Sequence, residues 1–94
     1  TNTTIGAIIT NGKFDKTKLN KIASMTHNGY ARSINPVHTM ADGDSIYALS
    51  VGEVEADLNT VGTLSARVMS MAIENAIKSA DSMYGLTAYK DLKI

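Results

Sequence analysis

Thr1-Asn2-Thr3-Thr4-Ile5-Gly6-Ala7-Ile8-Ile9-Thr10 places three hydroxyl-bearing residues among four and follows them with a short apolar run. Thr4 to Thr10 reads as a strand. Ile5, Ala7 and Ile9 point one way, Gly6 and Ile8 the other, and neither face is polar. Such a strand is expected to be covered on both faces, as in the middle of a layered α/β sheet. Asn11-Gly12 carries strong turn chemistry and is expected to break the run. The threonines at the open end of the strand admit two readings. A Thr hydroxyl close to a chain terminus can serve as a nucleophile with its own α-amine as base. Alternatively, removal of an initiator Met left a small residue and the threonines merely decorate a strand edge.

Downstream, Asp15 is a plausible N-cap. Leu19, Ile22, Ala23, Thr26, Tyr30 and Ile34 then recur at helical spacing, with Lys16, Lys18, Asn20 and Lys21 on the other side. Gly29 weakens this helix by up to ~1 kcal/mol relative to Ala and marks close packing or an early end. Asn35-Pro36 stops it, because the residue before proline disfavours helical angles. Val37 to Gly43 reads as loop. Ser45 to Val51 is a second strand, with Ile46, Ala48 and Ser50 on one face and Tyr47, Leu49 and Val51 on the other; Gly52 ends it.

Glu53, Glu55 and Asp57 alternate with Val54, Ala56 and Leu58. Three carboxylates on one side of an extended segment can bind a hard cation, but no Ca²⁺-loop turn accompanies them, and a solvated edge is the preferred reading. A long helix is expected from about Thr60 to about Met83, capped by Asn59 and closed by Gly85. Its apolar stripe includes Val61, Leu64, Val68, Met69 and Ile73. Ala72, Ala76 and Ala80 follow one another at i, i+4, i+8 and would let a neighbouring layer approach closely.

The order is β-α-β-α. Two strands with a helical layer on each side leave unpaired edges and bare apolar surface. The chain is therefore expected to complete its sheet with another polypeptide, or to be a piece of a larger one.

At 94 residues the chain makes one small domain without an internal boundary. Nine basic residues balance nine acidic ones, which argues against a nucleic-acid or anionic-membrane partner. The basic residues of the first half cluster on the polar side of one predicted helix, as a solvated face does. With no cysteine, disulfides, thiolate metal sites and a Cys nucleophile are excluded. No apolar run approaches a membrane span and no signal peptide is visible, so a reducing, cytoplasmic compartment is expected.

A Thr hydroxyl needs a group to take its proton. An N-terminal amine, with a reference pKa of about 7.7–8.0, is suited to this near neutrality. Such a site wants a carboxylate beside the amine. Asp42 and Asp44, just before the second strand, are candidates if that strand runs antiparallel or staggered near the first; the alternative is an ordinary Asp-Gly turn. His38 is a possible acid–base group without a readable partner spacing, and His27 is expected at the helix surface.

Four blocks in order carry a resemblance. They are Asn2-Thr3-Thr4-Ile5-Gly6, the segment Ala31 to Thr39, the segment Asp42 to Leu49, and Gly52 to Asp57 with Asn59-Thr60-Val61-Gly62. Together they resemble the small β subunit of the L-aminopeptidase/D-esterase family, which includes D-aminopeptidases, β-aminopeptidases and the endo-type hydrolase of nylon (6-aminohexanoate) oligomers. The likeness covers nearly the whole chain and is strongest to the nylon-oligomer branch, whose nucleophile is Thr.

The resemblance implies a precursor that cleaves itself at an Asn–Thr bond into a larger α and a smaller β subunit. It implies an αββα sandwich shared by both, further assembly such as a tetramer, and no metal or organic cofactor. Carried onto this chain, the bond is Asn2–Thr3. Thr3 is the nucleophile for processing and amide hydrolysis, and Asp42 and Asp44 orient it and its amine. The oxyanion-stabilising Lys and Asn of the family lie in the α subunit. The chain departs from the pattern by keeping two residues upstream of Thr3. While Asn2 is attached, the Thr3 nitrogen is an amide and no base; cleavage before Thr1 is the alternative. The competing reading of the whole chain is a non-catalytic βαβα interaction or ligand-binding subunit.

Overall fold

The computed structural model describes residues 3–37, 39 and 42–93. Along them run strand β1 (Ile5–Gly12), helix α1 (Lys16–Ser33), strand β2 (Ser45–Val54) and helix α2 (Leu58–Ser79), followed by one 3₁₀ turn at Tyr89–Asp91. The expected β-α-β-α order is thus present. β1 and β2 pair in parallel, with Ile5 opposite Ser45, Ile8 opposite Ala48 and Thr10 opposite Ser50. From the sequence, the meeting of Asp42 and Asp44 with the Thr end is conditional on an antiparallel or staggered second strand; the parallel pair brings those segments together without either. The physical reason is the connection: a helical crossover such as α1 carries the chain back to start a second strand beside the start of the first.

Asn11-Gly12 does not end β1. The strand runs on through it, and the register shifts between Thr10 and Gly12, where Gly12 faces Val54. The turn chemistry is absorbed as a bulge in the ladder. There the backbones come so close that a Cβ on Gly52 would lie 2.5 Å from the Asn11 carbonyl oxygen.

Both helices lie on the same face of the sheet. A Cβ built on Gly6 would meet Tyr30 of α1 and Met69 of α2, so the face of Gly6, Ile8, Thr10, Ile46, Ala48 and Ser50 is the helix-facing one. Ile8 is buried there, and the core continues through Ile22, Thr26, Tyr30, Ala66 and Met69. The opposite face is uncovered: Ile5 is 72% exposed, Ile9 66%, Tyr47 63% and Val51 69%. The apolar pattern leads to an expectation of cover on both faces; among the described residues the helices cover one.

The helices cross closely because glycines face each other's helix. A Cβ on Gly29 would lie 2.3 Å from the Ala66 carbonyl oxygen, and one on Gly62 would lie 2.3 Å from Met25 Sδ. Gly29 thus marks close packing within a helix that continues to Ser33. Asp15 caps α1 as expected, accepting from the Lys18 N–H at 2.9 Å. The α2 expectations need correction. Asp57, not Asn59, is the cap, accepting from the Thr60 N–H at 2.9 Å, and these bonds lower its carboxyl pKa. The helix ends at Ser79, and Gly85 instead serves, at φ 78°, a turn closed by Met83 and Leu86. Within the expected acidic row, Asp57 is committed to the cap while Glu53 lies 3.6 Å from Lys13.

On α2 the buried residues are Gly62, Ser65, Ala66 and Met69. Leu64, Val68, Met71 and Ile77 stay at least half exposed, and Ala72 and Ala76 line an open apolar trough with Ile5, Ala7 and Ile34.

Candidate active site

Because β1 and β2 are parallel and nearly flush, the residues just before each strand come out side by side. Those residues are Thr3-Thr4 and Asp42-Gly43-Asp44. The Ser45 N–H donates to the Thr4 carbonyl at 2.9 Å, extending the ladder one step beyond the paired residues. The Thr4 N–H donates to Asp44 Oδ1 at 2.9 Å. Thr3 Oγ1 lies 3.1 Å from where a Cβ on Gly43 would be, so the absence of a side chain at Gly43 leaves room for the Thr3 hydroxyl over the loop. Thr3 itself is exposed.

The other carboxylate is held by its own loop. Asp42 Oδ2 accepts from the Thr39 N–H at 2.9 Å and from the Thr39 hydroxyl at 2.7 Å, and the Asp42 N–H returns a bond to the Thr39 carbonyl at 3.1 Å. These three bonds fix the carboxylate relative to the backbone that carries it. Both carboxylates border an open pocket of about 210 Å³ lined also by Thr4, Ile34, Pro36 and Val37. Its apolar walls come from the chain just beyond α1, where the Asn35–Pro36 bond is cis. A carboxylate beside apolar walls holds a positive or hydrogen-bonding group more firmly than one in open water.

Thr3, Asp42 and Asp44 are therefore brought to one end of the sheet. Asn2 and His38 lie outside the described residues. His27, expected at the surface, packs its ring edge-on against Tyr30 at 5.3 Å between centroids. Three participants in the local geometry were not singled out from the sequence: Thr39, Ser45 and Tyr30. The Thr39/Asp42 spacing is a local side-chain turn and was readable as such. Tyr30 carried the signal of helical phase, which places it on the inner face of the last turn of α1. Its hydroxyl donates to the Ser45 carbonyl at 3.0 Å, and burial, followed by the negative charge of Asp44, pushes its pKa up.

A hydroxyl and two carboxylates at one end of a sheet, with a small pocket bordered by the carboxylates, form an arrangement that can serve nucleophilic chemistry on a carbonyl. The model of peptidase family S58 matches residues 1–90, and the chain belongs to that family. Its relatives bear names of two kinds. A protein of Mycobacterium bovis named as an uncharacterised aminopeptidase is 32% identical over 97% of this chain and 31% of its own length. A counterpart so named in Mycobacterium leprae is 30% identical over 94% of this chain and 28% of its own length. A 6-aminohexanoate-oligomer endohydrolase of Kocuria is 31% identical over 82% of this chain and 25% of its own length. The chain thus spans under a third of the length of these relatives. No solved structure matches it. Among the described residues no helix is long and apolar enough to cross a membrane.

Proposed function

We propose that this chain is the small β subunit of a self-processing amide hydrolase whose nucleophile is Thr3. The observation that carries the reading is the parallel register, which sets Thr3-Thr4 beside Asp42-Gly43-Asp44. In the precursor, the Thr3 hydroxyl attacks the Asn2 carbonyl. The chain shifts from the Thr3 nitrogen to its oxygen, and water cleaves the resulting ester, freeing the Thr3 amine. In turnover, Thr3 Oγ attacks the substrate carbonyl while the amine takes the hydroxyl proton. The amine returns that proton to the leaving nitrogen as the C–N bond breaks, and water then hydrolyses the acyl-enzyme. Asp44, bonded to the N–H next along from Thr3, sets the approach of the nucleophile, and Asp42 supplies a second fixed negative charge beside the amine.

The bare sheet face is the surface on which the rest of the molecule completes the structure. In this reading a second sheet from a larger α subunit covers Ile5, Ile9, Tyr47, Leu49 and Val51, giving an αββα sandwich. The αβ units then assemble further, for example as a tetramer. The relatives carry more than twice as much chain outside the matched part as within it, enough for such a subunit. The oxyanion donors come from that subunit. The substrates are small amides: the terminal residue of a short peptide, or an oligomer of 6-aminohexanoate, as the relatives' names suggest. A cytoplasmic location fits the cysteine-free composition.

Thr3→Ala in the complete protein that carries this chain tests the proposal. Intact mass is expected to show a single unsplit polypeptide, and hydrolysis of peptide and 6-aminohexanoate-oligomer amides is expected to fall by several orders of magnitude. A Thr3→Ala protein that still splits into two chains would sink the mechanism. The bare face would serve a non-catalytic interaction subunit equally well. That alternative gains if the complete protein binds a partner but is inert toward every amide, wild type included.

A further inference from the structure

Tyr30 is 1% exposed, yet it carries a hydroxyl into the core. A buried hydroxyl is costly unless it is bonded. This one is bonded to the backbone where β2 begins: it donates to the Ser45 carbonyl at 3.0 Å. Space for it is made by Gly6, since a Cβ there would lie 2.6 Å from the Tyr30 oxygen. The His27 ring, edge-on at 5.3 Å, braces the Tyr30 ring from its own helix.

From Ser45 the bonds lead to the site. The Ser45 N–H holds the Thr4 carbonyl at 2.9 Å, and the Thr4 N–H holds Asp44 at 2.9 Å. Asp44 is covalently joined to Ser45, so these two bonds and the Asp44–Ser45 link close a ring, and Tyr30 anchors that ring to α1. A phenylalanine would fill the same volume. The hydroxyl adds a fixed point for the peptide that follows the Asp44 side chain. We propose that Tyr30 is a positioning residue: its hydroxyl, passing the gap left by Gly6, holds the Ser45 carbonyl so that Asp44 stays aimed at the Thr3-Thr4 segment. This inference rests on the reading of Thr3 and Asp44 as the reactive centre.

Double-mutant cycles in the complete protein test it, with a 6-aminohexanoate oligomer and an aminoacyl p-nitroanilide as probes. Tyr30→Phe is expected to lower kcat about 10- to 100-fold, as small misplacements of a reactive centre do. KM should stay within about twofold, because the lost interaction orients the nucleophile and does not hold the ground-state substrate. Asp44→Asn should cost more, and adding Tyr30→Phe to it should cost nothing further, since both act through the same carboxylate. Gly6→Ala, which displaces the hydroxyl, should reproduce the kcat loss with Tyr30 present and be nearly silent on the Tyr30→Phe background. Circular dichroism checks that each variant is folded.

A folded Tyr30→Phe protein with unchanged kcat overturns the positioning role while leaving the Thr3 mechanism standing. So do losses that multiply in the Asp44→Asn double variant, which would mark a merely structural contact. Unchanged turnover in both Thr3→Ala and Asp44→Asn overturns the underlying mechanism, and the positioning role with it.

Discussion

On the face of the sheet turned toward the helices stand Gly6, Ile8, Thr10, Ile46, Ala48 and Ser50; on the other stand Ile5, Ala7, Ile9, Tyr47, Leu49 and Val51. The covered face includes a glycine, an alanine and two hydroxyls. The bare face includes two isoleucines, a leucine, a valine and a tyrosine. Small residues on the covered face let α1 and α2 come close, and the hydroxyls find backbone partners, as Ser50 does at the Gly12 carbonyl. Large apolar residues on the bare face have no counterpart within the described residues. Covering one such Ile or Leu is worth about 1.5–3 kcal/mol. Against a typical domain stability of about 5–15 kcal/mol, leaving five uncovered is a heavy loss. The bulkier of the two faces is thus the one that the described residues leave bare.

The sharpest way to break that comparison is a charge in the middle of the bare face. Ile9→Asp in the complete protein is expected to destabilise by about 3–5 kcal/mol, the cost of a buried charge without a partner. Denaturant midpoints and sedimentation would read it, the latter as loss of assembly. A change within about 0.5 kcal/mol, typical of a surface substitution, would mean that Ile9 faces water in the assembled molecule too. The two faces would then not be alternately covered, and the αββα reading would lose its main structural support.

The covered face is sharpened at the helix crossing behind it. Gly29→Ala brings a methyl to 2.3 Å from the Ala66 carbonyl oxygen, where backbone must give way. Intrinsic helix propensity favours Ala by up to ~1 kcal/mol. Overpacking costs about 1–3 kcal/mol, so the net change should be destabilising. An increase in thermal midpoint would show that the helices can separate without loss, and that the covered side is no tighter than the bare one.

The strands and helices were legible because period-two and helical spacing are local properties. Ile5 to Ile9, Tyr47 to Val51 and the Ile22-Thr26-Tyr30 stripe each announced their element and face. The agent of burial was not legible. Apolar residues on both faces of β1 lead one to expect cover on both, without stating what supplies it. Strand direction needed the connection, and the roughly thirty residues between the strands, with a helix among them, contained it. Once parallel, the chain brings Thr3 to Asp42 and Asp44 by register alone.

The ends of α2 misled for chemical reasons. Asp57 and Asn59 are both good caps, and the Asp57-x-x-Thr60 spacing decides for the first. Gly85 suits a helix end and a tight turn equally well. Tyr30 escaped notice in the site because its role depends on Gly6, far away in sequence, leaving a gap of the right depth.

The smallest effect expected tests how well the covered face is sealed beside the site. Burial first, and the nearby charge of Asp44 second, raise the Tyr30 pKa above its ordinary 10.0. The folded protein therefore keeps this proton to higher pH than the unfolded chain does. Between the two pKa values the folded state binds more protons, so stability falls as pH rises. The Tyr30 contribution is fully present below about pH 10, and it is lost as pH rises through the folded value. Denaturant midpoints of the complete protein measured across this range should fall more steeply for wild type than for Tyr30→Phe. Every other titrating group is common to both proteins and cancels in the difference. Equal slopes would mean that water reaches the Tyr30 hydroxyl when the protein is folded. The helix-facing side would then be open where it meets Ser45, and the anchoring of Asp44 through that contact would fail together with the contrast between the faces.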